Sequence, residues 1–323
     1  MGAVLESDIQ NGQANLEVFS QTLQTLAESD REILVVTSDS RGSGKLVPFG
    51  QKFPKQLVEI GIAEQNLVGV AAGLASTGKK VFAVSPACFL TARALEQIKN
   101  DVAYSDNPVR LIGISAGVSY GALGSTHHSL HDFAVLRAIH NLVVAAPADN
   151  FETREAIQLA AKLDQPIYLR FGKKNMLDLP ASDQAFEFGK GRIIREGRDL
   201  AIIATGETVL PAYEAAEMLA EKQGLQTRVI SMHTIKPLDV GLLKNTARDC
   251  GAILTVEEHS VHGGLGEACA SFLLQSGYKK PFYIVGIPDE YTVTGSQAEI
   301  FKHYGITAEG LAETAMNLIA RTT

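Results

Sequence analysis

The chain has 323 residues, which is long enough for about two domains with buried cores. Apolar residues make up 46% of the sequence and charged residues 20%, a composition that is typical of globular proteins and excludes a fibrous or disordered chain. The net charge of -7, with no basic patch to offset it, argues against a nucleic-acid-binding protein.

The N-terminal segment and the cysteines bear on location. Residues 1–13 are polar and acidic and lack the apolar core of a signal peptide, and no stretch approaches the roughly 18 apolar residues of a membrane span. Cys88, Cys250 and Cys269 have no pairing or metal-binding pattern, as expected of buried or incidental thiols in a reducing compartment. We therefore expect a cytoplasmic protein that does not enter a membrane.

Short β-branched segments alternate with segments of helical period along the chain. Apolar residues recur with the helical period at Leu16, Phe19, Leu23 and Leu26, and a last helix is predicted over residues 308–320. Strands are predicted at residues 33–36, 81–84, 111–114, 142–145 and 167–169 in the first half, and at 200–204, 228–231, 253–256 and 283–287 in the second.

This alternation predicts an α/β fold with two open, mostly parallel sheets, one in each of two domains. The first domain is predicted to span residues 1–180 and the second residues 188–323, and the polar, proline-containing stretch 175–187 looks like a linker. Ligands of such sheets bind outside the carboxyl ends of the strands, so motifs at those positions are the candidates for function.

The loop after the first predicted strand, residues 37–45, ends in Gly-Lys and resembles a phosphate-binding loop. Such a loop needs Gly five residues before that pair and Ser or Thr after it, whereas this chain has Asp39 and Leu46 there. Two interpretations stay open. The segment is either a flexible connection or a polar rim facing a ligand, with Ser43 and Arg41 as hydrogen-bond donors.

Residues 58–66 place Glu64 at the start of a helix whose first turns are small, with Gly69 and Gly73 among them. The helix dipole favours a carboxylate in the first turn, and small residues let a flat ring or another backbone lie close. Glu64 is therefore either an acidic helix cap or a carboxylate that acts on a bound cofactor. Phe89, at the next helix start, either joins the core, which is worth ~2 kcal/mol, or covers a bound ring.

The glycine-rich segment 117–132 carries His127, His128 and His131. The spacing of His127 and His131 permits a metal site on a helix, but neither a His-Glu-x-x-His pattern nor a cysteine partner supports one, so we expect no metal. A histidine at the end of a flexible loop is better suited to general acid–base catalysis or to a hydrogen bond with a sugar hydroxyl.

Three cations, Arg170, Lys173 and Lys174, follow the last strand of the first predicted domain. They are either solvated or provide, in Arg170, a bidentate contact for a phosphate-like dianion. In the second domain, residues 257–266 predict a tight turn and a helix start that makes subunit contacts.

Four motifs occur in a fixed order: Gly-Ile-Ala-Glu-Gln-Asn at 61–66, Arg-Ala-x-Glu-Gln-Ile at 93–98, Gly-x-Thr-His-His-Ser at 124–129, and Glu-Glu-His followed by Gly-Gly-Leu-Gly at 257–266. Together they resemble the C-terminal half of a transketolase, and the resemblance covers nearly the whole chain. It implies a pyrimidine-binding domain up to about residue 180, followed by the C-terminal domain of that family.

The resemblance also implies roles for individual residues. Glu64 becomes the carboxylate that activates thiamine diphosphate, and His127 contacts the reacting end of the substrate. Asp39, Glu64 and Phe89 would bind the cofactor. The substrate-binding residues it implies are Ser43, Arg93, His127 and Arg170, with Arg170 taking the phosphate.

The sequence contains no Gly-Asp-Gly, the element with which this group of enzymes binds the diphosphate through Mg²⁺. The chain therefore resembles the second subunit of a split transketolase, whose separate N-terminal partner holds the diphosphate and the metal ion in an α2β2 assembly. The implied activity is transfer of a two-carbon ketol unit from a ketose, such as a sugar phosphate, to an aldose. Alternatives are the β subunit of a 2-oxoacid dehydrogenase E1 component and a non-catalytic subunit that stabilises a partner.

Three residues depart from the family pattern. Leu123 replaces an acidic residue that recognises a donor hydroxyl, Leu16 replaces an arginine near the donor phosphate, and Pro86 replaces an aromatic residue. These departures favour an altered donor, such as a branched or otherwise modified ketose. Arg41, Lys45 or Lys173 are candidates to replace the lost cation.

Overall fold

The computed structural model describes residues 11–180 and 184–320. Residues 1–10 of the first predicted domain and of the polar N-terminal segment, residues 181–183 of the predicted linker, and residues 321–323 of the second predicted domain lie outside the described residues.

The strands are β1 Asn11–Ala14, β2 Ile33–Thr37, β3 Leu57–Glu59, β4 Lys80–Pro86, β5 Arg110–Ile114, β6 Val143–Ala145, β7 Ile167–Phe171, β8 Asn175–Leu177, β9 Arg192–Arg195, β10 Leu200–Ala204, β11 Thr227–Ser231, β12 Thr234–Lys236, β13 Ile253–Ser260 and β14 Phe282–Ile287.

The α-helices are α1 Asn15–Ser29, α2 Val47–Lys52, α3 Glu64–Ala75, α4 Ala87–Arg93, α5 Leu95–Gln97, α6 Asp132–Arg137, α7 Asn150–Ala160, α8 Val209–Gln223, α9 Val240–Asp249, α10 Leu265–Gln275, α11 Gln297–His303 and α12 Ala308–Ala320. A π-helix lies at Ile98–Tyr104, and 3₁₀ turns lie at Gly121–Leu123 and Gly206–Thr208.

The first sheet has the order β12-β6-β7-β5-β4-β2-β3. Its neighbours pair in parallel except β12, which comes from the second half of the chain and runs antiparallel to β6, with Thr234 opposite Ala145. The prediction of a mostly parallel α/β sheet is confirmed. The sequence did not predict that β12 joins the first sheet, because a strand of three residues is too short to show a recognisable period.

The second sheet has the order β14-β13-β10-β11-β9, with β9 antiparallel to β11 and the other pairs parallel. A separate two-stranded ribbon joins β1 to β8. Strand β8 lies in the stretch that looked like a linker, where Met176 is 4% exposed and anchors the segment.

Alternate residues of the first sheet face two different cores. Phe82 and Leu169 pack in the core that contains Phe19, whereas Val81 and Tyr168 pack in the core on the other face. Because both faces of this sheet are buried, its strands appear in the sequence as continuous apolar runs. The carboxyl ends of β2, β4, β5 and β7 consequently meet at one edge, where their loops converge.

The turn at 261–264 packs against the first domain of the same chain, and the subunit contact expected there stays a prediction. Gly263 lies against Ala134, so a Cβ on this glycine would overlap with helix α6. Arg137 on that helix donates to the carbonyl oxygens of Gly263 and Gly264, the latter at 2.8 Å. The turn therefore belongs to the contact between the two domains.

Cys88, Cys250 and Cys269 are free and buried, as predicted. Of the described helices, none combines the length and apolarity that crossing a membrane requires.

Candidate functional site

Six side chains form a continuous row beyond the carboxyl ends of β3, β4, β5 and β7. Each contacts the next through an ion pair, a ring contact or a cation–π contact. We call this set the site row: Glu64, Arg93, Phe89, His127, Tyr120 and Lys173.

The first part of the site row joins a carboxylate to an aromatic ring. Arg93 Nη1 donates to Glu64 Oε1 over 2.8 Å, and the guanidinium carbon lies 4.2 Å from the centre of the Phe89 ring. The ring of Phe89 in turn lies 5.3 Å from that of His127, at 71° to it. An edge-on arrangement of this kind is favourable for aromatic pairs. The three predicted residues Glu64, Phe89 and His127 are thus brought together.

The second part of the site row leads to solvent. The rings of His127 and Tyr120 lie 5.5 Å apart, and Lys173 Nζ lies 4.7 Å from the centre of the Tyr120 ring. Lys173 is exposed. The row therefore runs from a buried carboxylate to a solvent-facing ammonium group, a polarity that suits an elongated ligand with an anionic end.

Glu64 is the first residue of α3, and its side chain is 4% exposed in this chain. It lies beside an open cleft of about 660 Å³ that is also lined by Ile62, which is 75% exposed. The side chain of its ion-pair partner Arg93 is 48% exposed. The fold therefore holds the carboxylate in place, whereas the guanidinium can move into solvent or toward a ligand.

Glu59 organises the approach to Glu64, a role that was not apparent from the sequence. Its carboxylate accepts hydrogen bonds from the backbone amides of Asp39 at 2.7 Å and Gly61 at 3.0 Å, and from Arg41 Nε at 3.0 Å. Burial raises the pKa of Glu59, but these hydrogen bonds outweigh it and lower the pKa below the ordinary value. Glu59 thereby ties the loop after β2 to the turn before α3.

The loop after β2 is held by its own contacts, and the ligand-binding roles of Asp39 and Ser43 stay predictions. Arg41 is paired with Glu59 and Lys45 with Glu17, each at 3.0 Å, so these two candidates to replace the lost cation already have carboxylate partners. The Ser43 hydroxyl donates to the carbonyl of Ser40 within its own loop. Within the part of the chain that the structure describes, no hydrogen bond, ion pair or ring contact joins Asp39 or Ser43 to the site row.

Arg170 departs most clearly from the sequence-based predictions. It is 6% exposed, and its Nη1 and Nη2 atoms donate to Asp132 Oδ1 at 3.0 Å and to the carbonyl of Glu258 at 2.8 Å. Its guanidinium carbon also lies 4.3 Å from the ring centre of Phe133. The interpretation of Arg170 as a solvated cation is wrong because the guanidinium is enclosed between the domains. Its role as the phosphate contact stays a prediction.

Glu258, from the second domain, fixes the base of the glycine-rich loop. Its Oε1 accepts from the amide of Val118 at 2.8 Å, and a Cβ on Gly117 would overlap with its carboxylate. Gly117 also has a φ of 60°, which favours glycine. Burial, with the neighbouring Glu207, raises the pKa of Glu258 to about 8. The loop that carries His127 is therefore anchored by both domains.

The remaining candidates have local roles. His131 lies 3.2 Å from the hydroxyl of Thr91 and so has a different partner from His127. No group of three or more His, Cys, Asp or Glu side chains within the described ranges is arranged to hold a metal ion. Leu16 is buried in the core, Pro86 precedes α4, and Leu123 is 55% exposed in the loop before His127.

Two known families match the chain, one in each half. Residues 12–177 match the family described as the transketolase pyrimidine-binding domain, and residues 189–311 match that of the transketolase C-terminal domain.

Individual relatives agree with these matches. The chain is 48% identical over 305 residues to an apulose-4-phosphate transketolase subunit of Phocaeicola vulgatus, covering 94% of this chain and 96% of that protein. It is 38% identical over 288 residues to a protein of the same description in Actinobacillus succinogenes, covering 89% and 92%. A solved split gene transketolase, described as an inactive beta4 tetramer, superposes with a TM-score of 0.85 at 36% identity, over 96% of this chain and 99% of that one.

Proposed function

Because the chain belongs to the transketolase family, we propose that it supplies the pyrimidine-binding half of an active site that transfers a two-carbon ketol unit from a ketose to an aldose. The observation that carries this proposal is the site row, in which Glu64 and Arg93 line an open cleft and Arg93 connects them to Phe89 and His127.

The residues beside the cleft fit the aminopyrimidine end of thiamine diphosphate. Glu64 offers a carboxylate that is almost enclosed by protein yet lines the cleft, with the half-exposed Arg93 as a charged partner. Phe89 offers an aromatic ring one contact away. When bound, the cofactor supplies the nucleophilic carbon and accepts the electrons that are released as the donor's C–C bond breaks. Glu64 would hold and exchange the proton at the pyrimidine, and Phe89 would cover the ring.

His127 and Lys173 would act on the substrate. His127 sits between the rings of Phe89 and Tyr120, a position that fixes its imidazole for proton exchange or hydrogen bonding with a substrate oxygen. Lys173 replaces Arg170 as the proposed phosphate contact because its ammonium is exposed at the far end of the same row. Arg93 would contact the substrate once Glu64 has engaged the cofactor.

We propose a phosphorylated ketose as the donor. The relatives in Phocaeicola vulgatus and Actinobacillus succinogenes are both named for apulose 4-phosphate. In this chain Leu123, which is 55% exposed, presents an apolar side chain in the loop that carries His127. A leucine side chain cannot hydrogen-bond with the donor hydroxyl that an acidic residue at this position would recognise. Leu123 therefore favours a donor that lacks this hydroxyl.

We also propose that a separate subunit holds the diphosphate and the Mg²⁺ ion, and that two copies of each chain form the enzyme. The relatives named above are subunits, and the described part of this chain contains no group of side chains arranged to hold a metal. The open cleft at Glu64 would be closed by that partner. The domain limits at 1–180 and 188–323 and the cytoplasmic location are retained as proposals.

Reconstitution tests this function. The chain and a diphosphate-binding partner subunit should be assayed, separately and mixed, for ketol transfer from apulose 4-phosphate and for decarboxylation of 2-oxoacids. We expect transfer only in the mixture, together with Mg²⁺-dependent cofactor binding by calorimetry that the chain alone lacks. Decarboxylation without transfer would identify a 2-oxoacid dehydrogenase subunit instead, and tight cofactor binding by the isolated chain would exclude the split site.

A further inference from the structure

The loop that carries His127 rests on a segment of the second domain, residues 288–296 between β14 and α11. A Cβ on Gly121 would lie 2.5 Å from the carbonyl oxygen of Gly295, and one on Gly124 would lie 3.1 Å from Thr294 Cγ2. Both glycines have positive φ, 50° and 73°. Only glycine permits this backbone and this close approach, so residues 121–128 are shaped to dock on the second domain.

A chain of hydrogen bonds passes through Thr292 at this contact. Its Oγ1 lies 2.6 Å from His128 Nδ1 and 3.0 Å from Ser125 Oγ, and His128 Nε2 lies 2.9 Å from the carbonyl oxygen of Gly121. The carbonyl can only accept, so Nε2–H donates to it. Burial lowers the pKa of His128, which favours the neutral ring and leaves Nδ1 to accept from Thr292. Ser125 then donates to Thr292. Through Thr292 and His128, these hydrogen bonds connect Ser125 with the carbonyl of Gly121 in the same loop.

The segment that presents Thr292 is itself braced. The amide of Val293 donates to Tyr304 Oη at 3.3 Å, and the Tyr304 hydroxyl donates to Glu290 at 2.9 Å. Ser296 is the N-cap of α11 and forms a capping box with Glu299. Thr292 is 7% exposed. Its hydroxyl is therefore a fixed point on which the glycine-rich loop is held.

We propose that Thr292 is a positioning residue for His127, and that the second domain thereby takes part in building the substrate site. Thr292 holds residues 121–128 so that the imidazole of His127 stays between the rings of Phe89 and Tyr120. The effect on turnover rests on the proposed function, because it requires His127 to contact the substrate. The effect on the conformation of the loop is independent of the proposed function.

Thr292→Val tests the positioning directly in the full-length chain. Valine keeps the shape of threonine but removes both side-chain hydrogen bonds. The amides of His127 and His128 donate to the carbonyl of Gly124 within this loop. We expect their hydrogen exchange to accelerate by about tenfold. In the reconstituted enzyme, kcat/KM for the donor should fall by a similar factor while cofactor affinity is unchanged.

Three further variants separate positioning from general damage. Thr292→Ser retains the hydroxyl and should restore both exchange and kcat/KM. Ser125→Ala removes one exposed partner of Thr292, so it should fold normally and give a smaller change in the same direction. Tyr291→Ala removes a neighbouring side chain that is 94% exposed and should change neither measurement.

Each result has a defined meaning. Wild-type exchange at His127 and His128 in both Thr292→Val and Ser125→Ala would overturn the positioning inference, whatever the activity. Faster exchange with unchanged kcat/KM would overturn the role of Thr292 in the reaction. A His127→Ala variant with normal kcat/KM would instead refute the proposed role of His127 and leave the exchange result standing.

Discussion

Arg93 Nη1 lies 2.8 Å from Glu64 Oε1, so that one ion pair connects the helix after β4 with the helix after β3 at the mouth of the cleft. The two side chains differ sharply in exposure, at 48% for Arg93 and 4% for Glu64. The carboxylate is positioned by the fold, whereas the guanidinium is a solvent-facing partner that can turn toward a ligand.

Arg93→Ala should reduce both stability and activity. The change leaves the Glu64 carboxylate, which is 4% exposed, without this charged partner, so urea denaturation should show a loss of about 1–3 kcal/mol. If Arg93 contacts the substrate, kcat/KM for the donor should fall by at least about tenfold, as expected for a lost charged hydrogen bond. Unaltered kinetics would limit Arg93 to pairing with Glu64 in the free chain.

Arg170→Met and Lys173→Met form a matched pair, since both remove a cation from the end of β7. The Arg170 change leaves the buried carboxylate of Asp132 without the arginine that pairs with it at 3.0 Å. Breaking a buried pair in this way costs about 3–5 kcal/mol. The Lys173 change removes an exposed ammonium and should cost almost no stability.

In steady-state kinetics the order should be reversed, and the Lys173 change should have the larger effect. Lys173→Met should raise KM for a phosphorylated acceptor while sparing an unphosphorylated one, because the contact is to the phosphate. Thermal unfolding and steady-state kinetics on the same preparations check both halves. A stable Arg170→Met enzyme that discriminates against phosphorylated sugars would reinstate Arg170 as the phosphate contact.

Stability should fall as the pH rises from 6.5 to 8. Burial raises the pKa of Glu257 to about 7 and, with Glu207 nearby, that of Glu258 to about 8. The folded state therefore keeps protons that the unfolded state has already lost, and each group removes up to about 1.4 kcal/mol per pH unit. Buried histidines affect the pH dependence of stability mainly below pH 6.5, since burial lowers the pKa of His259 to about 4.

Urea denaturation at pH 6.5 and 8.0 measures this dependence. Glu258→Gln carries a neutral side chain at both pH values, so its loss of stability over the interval should be smaller than that of the wild type. Glu221→Gln, an exposed change on α8, is the matched control and should behave like the wild type. A wild-type protein that gains stability over the interval would show that these carboxyl groups are ionised in the folded state.

The features that could be predicted from the sequence are those that depend on local pattern. The parallel strands follow from runs of β-branched residues. Phe89 and His127 each follow a predicted strand, whereas Glu64 was singled out by its motif at the start of a helix, because the short strand β3 before it was not predicted. Which of the cations after β7 faces the site could not be predicted. Arg170 turns inward only because Asp132 and Glu258, distant in sequence, meet it there. Glu59 and Thr292 were missed for the same reason, since their partners are set by tertiary packing.

Glu64→Gln in the reconstituted enzyme tests most directly whether the Glu64 carboxylate serves the cofactor. The amide can still accept from Arg93, so circular dichroism and subunit assembly should match the wild type and the Glu221→Gln control. It cannot exchange a proton at the pyrimidine, so ketol transfer should fall by about 10²–10⁴. Turnover within about tenfold of the wild type would contradict this role and leave Glu64 as an acidic residue in the first helical turn, paired with Arg93.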